Sequence, residues 1–132
     1  MKWEVVVPVV VETEIQQYGK EDITVQSLAQ TSWLVVVNTP PIPNVIQSYQ
    51  LGAGESAVLT WAYVNPNSEV ILDDLAARRC ASALGIPVRG TLGLVLTAKQ
   101  LLPRKHYSSC ETHCRTIKSS TGIGWGIIKN WT

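Results

Sequence analysis

Two adjacent carboxylates, Asp73 and Asp74, are the strongest candidates for chemistry in this sequence. They follow a short apolar run that begins at Val70 and precede an amphipathic segment that ends at Gly85. This pattern is typical of a strand followed by a helix, and open α/β sheets bind ligands at this edge of their strands. Capping of the helix N-terminus explains one aspartate but not a second. The pair is therefore a candidate catalytic site as well as a helix cap.

Two further carboxylates, Glu14 and Glu55, lie in other predicted strand–helix units. Each has a simple explanation by itself: solvent exposure for Glu14, and a favourable helix-dipole position for Glu55, which follows a Gly-Ala-Gly turn. In a parallel sheet, however, Glu14, Glu55 and Asp73 can converge at one edge. A cluster with oxygen ligands only suits Mg²⁺ or Mn²⁺. Such a site would support metal-assisted phosphodiester hydrolysis.

Four residues near the aspartates are candidate contacts for a substrate phosphate. Arg78 and Arg79 lie about one turn into the predicted helix, where the alternative is a solvated face with an Asp74–Arg78 ion pair. Arg89 and Thr91 lie at the next predicted turn. Thr91 can cap the helix that follows, and a helix N-terminus there could receive phosphate.

The cysteines and histidines near the C-terminus raise the alternative of a zinc site. Cys110, His113 and Cys114, with His106 before them, supply enough ligands. The spacing is a weak signal, because no second pair of ligands follows.

Composition limits the function classes. The chain has 132 residues, 45% of them hydrophobic and 16% charged, which predicts one globular domain. A net charge of +1 gives no overall electrostatic attraction for nucleic acid, so binding would need a local patch. No apolar run approaches the ~20 residues of a membrane span, and we expect no signal peptide. Three cysteines do not resemble a secreted disulfide framework, so we expect a cytoplasmic protein.

Hydrophobic patterns predict an α/β chain. We expect strands at residues 4–7 and 33–37, the second buried on both faces, and helices at residues 9–18, 22–28 and 56–64, the last mostly buried. Pro8 suits the first turn of its helix, and Asp22 can cap the next one. After Gln100 no helical or strand period is clear, and we interpret the glycine cluster at residues 122–126 as a loop.

From Glu4 to about Gln100 the chain resembles the PIN-domain superfamily, particularly an uncharacterised bacterial and archaeal group of predicted nucleic-acid-binding proteins. The matching motifs are Val7-Pro8-x-x-Val11-x-x-Glu14-Ile15, Leu51-Gly52-Ala53-Gly54-Glu55-Ser56-Ala57, Ile71-Leu72-Asp73-Asp74-x-Ala76-Ala77-Arg78-Arg79 and Ala83-Leu84-Gly85-Ile86-x-Val88-x-Gly90-Thr91-Leu92-Gly93.

The resemblance implies an α/β/α sandwich with a mostly parallel sheet. It also implies a Mg²⁺- or Mn²⁺-dependent ribonuclease acting on single-stranded RNA. Many relatives are toxins that an antitoxin protein restrains. Glu14, Glu55 and Asp73 match the acidic metal-binding positions of the family, and Asp74 is a possible helper.

The chain departs from the family pattern at both ends. The family begins with a central strand that carries an aspartate, whereas this chain begins in the second strand. We therefore expect the first strand and the first acidic ligand to be missing, with unpaired strand edges in the sheet. We assign residues 1–100 to the PIN-like domain and residues 101–132 to an atypical tail. We hypothesise that the tail is translated out of frame, in which case its cysteines and histidines have no selected chemistry.

Two functions from different classes follow. The first is a metal-dependent ribonuclease of toxin type, or a degraded copy of one. The alternative is a non-catalytic remnant that keeps only a protein interface, for an antitoxin or for a homodimer. A zinc-binding module built on the tail ranks last.

Overall fold

The structure is a computed structural model that describes residues 2–94 and 126–131, with side chains described for residues 4–94. Within these ranges, five strands and five helices are β1 (Lys2–Pro8), α1 (Val9–Gln16), α2 (Ile23–Gln30), β2 (Leu34–Val37), α3 (Asn44–Gln47), α4 (Ala53–Val64), β3 (Ser68–Ile71), α5 (Leu75–Ala83), β4 (Val88–Arg89) and β5 (Gly126–Trp131). Residues 91–94 form a further helical turn.

The five strands form one sheet in the order β2-β1-β5-β3-β4. Strands β1 and β2 pair in parallel, as do β3 and β4, whereas β5 is antiparallel to both of its neighbours. Four strands therefore run in one direction, and their carboxyl ends lie at one edge. This arrangement confirms the predicted α/β fold with a mostly parallel sheet.

The centre of the sheet differs from the sequence-based expectation. Ile127 of β5 is the Cα partner of Val6 in β1 and of Val70 in β3. The expectation of unpaired edges at this position is wrong, because β5 hydrogen-bonds to both neighbours. The tail, which showed no strand period, supplies this central strand.

The first helices begin and end for local reasons. Pro8 is the N-cap of α1 and the last residue of β1, one position before the helical turn in which we predicted it. The chain leaves α1 through Gly19, whose φ of +89° is strained for any residue with a side chain. Asp22 caps α2 as predicted, since its Oδ1 accepts a hydrogen bond from the Thr24 N–H at 2.7 Å.

Helix α4 is the centre of the core. Seven of its residues are buried, which confirms the prediction of a mostly buried helix, and it starts three residues earlier than predicted. It packs against β1 and β3 and against α1 and α5. Val58 and Leu59 join Val6, Val11 and Val70 in the apolar cluster between these elements.

Strand β2 corrects a second prediction. The continuous apolar run from Trp33 to Val37 predicted a strand buried on both faces, but Val35 and Val36 are each 39% exposed and Trp33 is 67% exposed. The reason is position: β2 lies at the end of the strand order, where β1 is its one pairing partner among the described strands.

Candidate active site

The described part of the chain brings two of the predicted site carboxylates together at the N-terminus of α4. Glu55 lies in the first turn of this helix, and its Oε2 accepts a hydrogen bond from the Gly52 N–H at 3.0 Å. Glu14, on α1, accepts a hydrogen bond from the backbone N–H of Gly54. Both carboxylates thus lie where the helix dipole favours negative charge. We name Glu14 and Glu55 the acidic pair.

The surroundings of the acidic pair perturb Glu14. Partial burial raises the pKa of the Glu14 carboxyl above its ordinary value, and the negative charge of Glu55 raises it further. The hydrogen bond from Gly54 acts in the opposite direction. Two like charges held together in a half-buried position favour either a proton or a cation between them, so the pair has the electrostatics of a cation site.

Glycine at position 52 makes room for this arrangement. A Cβ at position 52 would lie 3.1 Å from Oε2 of Glu55, so the carboxylate would have to shift by a few tenths of an ångström to accommodate it. Gly52 therefore allows the carboxylate to fold back onto the backbone N–H.

The raised pKa of Glu14 gives a pH-dependent stability. The folded chain binds more protons than the unfolded chain between the ordinary value of 4.5 and the raised value. The stabilising contribution of Glu14 is therefore fully present at a pH below its ordinary pKa of 4.5, and it is lost as the pH rises through the raised pKa of the folded state. We expect Glu14→Gln to stabilise the protein at pH 7 by about 0.2–1 kcal/mol, the scale of a partly exposed charge interaction, and to lose this gain below about pH 4.

Urea unfolding at pH 7 and pH 3.5, in EDTA to exclude cations, measures this effect. Glu12→Gln is the matched control, because Glu12 lies on the same helix and its Oε1 accepts a hydrogen bond from Gln16 rather than contacting the acidic pair. An equal gain from Glu12→Gln, or a Glu14→Gln gain that is the same at both pH values, would contradict the pairing of Glu14 with Glu55.

Asp73 lies outside the acidic pair and has its own partner. It follows β3, and its Oδ1 accepts a hydrogen bond from the Thr91 N–H at 2.9 Å, while its Oδ2 accepts one from the Thr91 Oγ1 at 2.6 Å. Thr91 is the first helical residue of the turn at residues 91–94. The prediction that Thr91 would cap this turn is thus wrong. The carboxylate of Asp73, from 18 residues earlier, holds its first N–H instead.

Asp74 has the structural role that was its simpler interpretation. It is the N-cap of α5, and its Oδ1 accepts a hydrogen bond from the Ala77 N–H at 2.9 Å. The two aspartates therefore serve two different helical segments. Asp74 begins its own helix, and Asp73 fixes the segment after the next strand.

The three candidate arginines have different surroundings. Arg89 belongs to β4, and its Nε donates to Oε1 of Glu69 on the neighbouring strand at 3.0 Å. Arg78 and Arg79 are exposed on α5, and the ion pair between Arg78 and Asp74 that their spacing allowed does not form in the described part of the chain. Arg78 extends instead towards Gly90: its Nη1 lies 3.0 Å from where a Cβ of Gly90 would be.

The remaining cysteine of the described region is a packing residue. Cys80 on α5 is fully buried, and burial raises the pKa of its thiol, so it is a poor nucleophile or metal ligand. The candidate zinc ligands His106, Cys110, His113 and Cys114 lie outside the described residues.

The acidic pair offers two carboxylates as candidate ligands for a divalent cation. Across residues 2–94 and 126–131, no group of three or more Asp, Glu, His or Cys side chains could hold a metal ion. Asp73 is therefore not grouped with Glu14 and Glu55. The pair is nevertheless a chemically suitable partial site, because Mg²⁺ keeps several waters and commonly binds one or two carboxylates plus substrate phosphate. Each carboxylate retains lone pairs beyond the one that accepts a backbone N–H.

Three contributors to the site region were not among the predicted site residues. Gly54 donates to Glu14, Glu69 pairs with Arg89, and Gly90 lies beside Arg78 and Asp73. The two glycines occur in the turns that mark the helix starts. Glu69 carried no sequence signal, because its pairing with Arg89 depends on strand register.

Comparison with known proteins identifies the class to which this fold and site belong. The model of a PIN-domain family matches residues 1–108. The chain therefore belongs to the PIN-domain family, whose members are of nuclease type. No curated protein and no solved structure gave a significant match. No helix in the described ranges is long and apolar enough to span a membrane.

Proposed function

We propose that this protein is a ribonuclease that cleaves single-stranded RNA with Mg²⁺ or Mn²⁺. The observation that supports the proposal is the acidic pair: two carboxylates from different elements lie at the N-terminus of one helix, and the pKa of Glu14 is raised by burial first and by the charge of Glu55 in addition. Holding like charges together costs folding free energy, and a bound cation offsets this cost. The family match adds the nuclease class.

The residues have distinct roles in this proposal. Glu14 and Glu55 bind the cation, and the N–H groups of Gly54 and Gly52 orient their carboxylates. A divalent cation in such a site activates water and neutralises the charge that develops on the phosphate. Asp73, the third acidic position that the resemblance implied, lies outside the acidic pair and would act on the substrate side of the site, where Thr91 fixes its orientation through two hydrogen bonds. Asp74 assists by beginning α5 at this edge of the sheet.

Calorimetric titration with Mn²⁺ tests the cation site directly. We expect one saturable site in the unaltered protein and its loss in Glu14→Gln and in Glu55→Gln. Glu12→Gln on the same helix is the control and should bind as the unaltered protein does. Loss of binding in Glu12→Gln as well would show that the ion associates with surface charge rather than with the acidic pair.

Cleavage of a labelled single-stranded RNA tests the reaction. Activity should require Mg²⁺ or Mn²⁺, and Asp73→Asn should abolish it. Activity that survives EDTA would refute the metal-dependent mechanism.

The second candidate is a non-catalytic PIN-like protein that acts only through a protein interface. The observation that favours it is that Asp73 stands apart from the acidic pair and that no three-ligand group exists in the described ranges. An absence of saturable Mn²⁺ binding, together with a well-folded protein, would support this candidate over the ribonuclease.

Membership of the family supports three further parts of the proposal. The protein acts as a toxin in the cytoplasm, an antitoxin protein restrains it, and it forms a homodimer. Growth arrest on expression, relieved by co-expression of a neighbouring gene, would support the toxin. Unimpaired growth with an RNA-cleaving protein would contradict it.

A further inference from the structure

The surroundings of Gly90 single out one arginine of the predicted three. Nη1 of Arg78 lies 3.0 Å, and Oδ1 of Asp73 lies 3.4 Å, from the position that a Cβ on Gly90 would occupy. The guanidinium of α5 and the carboxylate that follows β3 therefore meet over the same backbone position at the end of β4. The positively charged guanidinium of Arg78 therefore lies near Asp73, an acidic residue of the candidate site.

Within the described residues, Arg78 and Asp73 do not form an ion pair with each other. Both oxygens of Asp73 accept hydrogen bonds from Thr91. Glu69, rather than Asp73, forms an ion pair with an arginine, namely Arg89. Arg78 is exposed on α5, and its guanidinium presents several N–H donors in a planar fork. This geometry matches two oxygens of a phosphate group. Arg89 is less suited, because its Nε is already used by Glu69.

We propose that Arg78 is the residue that contacts a backbone phosphate of the RNA, and that Gly90 is a positioning residue that leaves space for its guanidinium. This inference rests on the proposed function, since it names how the same site holds its substrate. A side chain at position 90 would displace the end of a flexible arginine rather than the backbone, so the fold tolerates the change while the phosphate contact is lost. Gly90 also needs no left-handed backbone conformation.

Equilibrium binding of a fluorescein-labelled single-stranded oligoribonucleotide, followed by anisotropy in EDTA over a range of NaCl concentrations, tests the proposal without cleavage or cation. We expect Arg78→Gln to weaken binding about tenfold at low salt. The slope of log Kd against log salt should fall by about 0.7, the value for one phosphate contact on a single strand.

A double-mutant comparison tests the role of Gly90. Gly90→Val should weaken binding and reduce the salt slope as Arg78→Gln does, and the double variant should lose no more than either single one. Gly93→Ala is the matched control, because its Cβ would meet the Cγ of Arg89 at 3.2 Å rather than Arg78. It should bind RNA as the unaltered protein does. Circular dichroism establishes that each variant folds, and if Gly90→Val does not, Gly90→Ala replaces it with a smaller expected loss in the same direction.

The outcomes separate this inference from the proposed function. Three results would overturn the assignment of Arg78 and Gly90, even if Mn²⁺ binding and RNA cleavage are found. They are an unchanged salt slope in Arg78→Gln, an equal loss of RNA affinity in Arg79→Gln, and additive losses of RNA affinity in the double variant. Failure of the unaltered protein to bind the oligoribonucleotide would overturn it too. If Arg78→Gln weakens RNA binding and lowers the salt slope as expected but the protein binds no Mn²⁺, the phosphate contact is supported and the metal-dependent ribonuclease is contradicted.

Discussion

Replacing Leu59 with alanine is expected to lower the free energy of unfolding by about 2–5 kcal/mol. Leu59 is fully buried in α4 and belongs to the main apolar cluster. Alanine is the better helix former, so the loss comes from the cavity and the lost apolar contacts rather than from the helix itself. Stability of a domain is typically only about 5–15 kcal/mol, so this loss is a large share. Urea unfolding at pH 7 measures it.

Thr60→Val is the matched control on the same helix. Thr60 is equally buried, but its Oγ1 has no hydrogen-bond partner within the described part of the chain. Valine keeps the shape and removes an unsatisfied hydroxyl, so we expect no loss and a gain of up to about 1 kcal/mol. A Leu59→Ala loss below about 1 kcal/mol would contradict the central position of α4.

The local elements of the fold were predictable because their causes are local. Asp22 caps α2 through the Thr24 N–H two residues away, and the uncharged run up to Val64 packs as a buried helix. The burial of β2 was not predictable in the same way. A run of valines has the same pattern whether the sheet continues beyond it or ends there, and Val35 is exposed on a strand that lies at the end of the strand order.

The sequence indicated which carboxylates are candidates for the site, but it did not indicate which residues contact them. The strand–helix pattern predicted that Glu14, Glu55 and Asp73 could converge. Burial, and to a smaller extent the charge of Glu55, raises the pKa of Glu14, whereas Asp73 contacts Thr91. The contacts of Asp73 were not predictable, because its partner Thr91 lies 18 residues away and across another helix and strand. Such contacts depend on how β3 and β4 align, which a single sequence does not specify.

The acidic pair and the aspartates illustrate two ways of holding a carboxylate. Asp74 and Asp73 each accept a backbone N–H at the start of a helical segment, which stabilises the fold. Glu14 and Glu55 also accept backbone N–H groups, but they do so beside each other. The raised pKa of Glu14 opposes folding at neutral pH, and carboxylates perturbed in this way are typical of functional sites. This contrast favours the acidic pair over the two aspartates as the proposed cation site.

Replacing Ile128 with proline is expected to destabilise the protein by at least about 1–3 kcal/mol, the cost of leaving a buried backbone carbonyl without its donor. Ile128 lies in β5, where its Cα partners are Val5 of β1 and Glu69 of β3. A residue in a central strand contributes its N–H to one neighbouring strand or the other, and proline has no N–H to donate. The carbonyl that loses this donor is left unsatisfied, and the fixed φ of proline distorts the pairing on both sides.

Comparison with Ile128→Ala isolates the backbone part of this loss, because alanine keeps the N–H while it shortens the same side chain. Thermal and urea unfolding of both variants give the difference. If proline costs no more than alanine at this position, the hydrogen bonds of β5 do not hold the two parallel strand pairs together, and packing against α4, which contacts both β1 and β3, would have to join them. A large excess for proline would instead show that the strand pair around Val6 and Val70 depends on β5 for its hydrogen bonds. In that case the tail is part of the folding unit, and the acidic pair on α1 and α4 depends on it for a stable sheet to pack against.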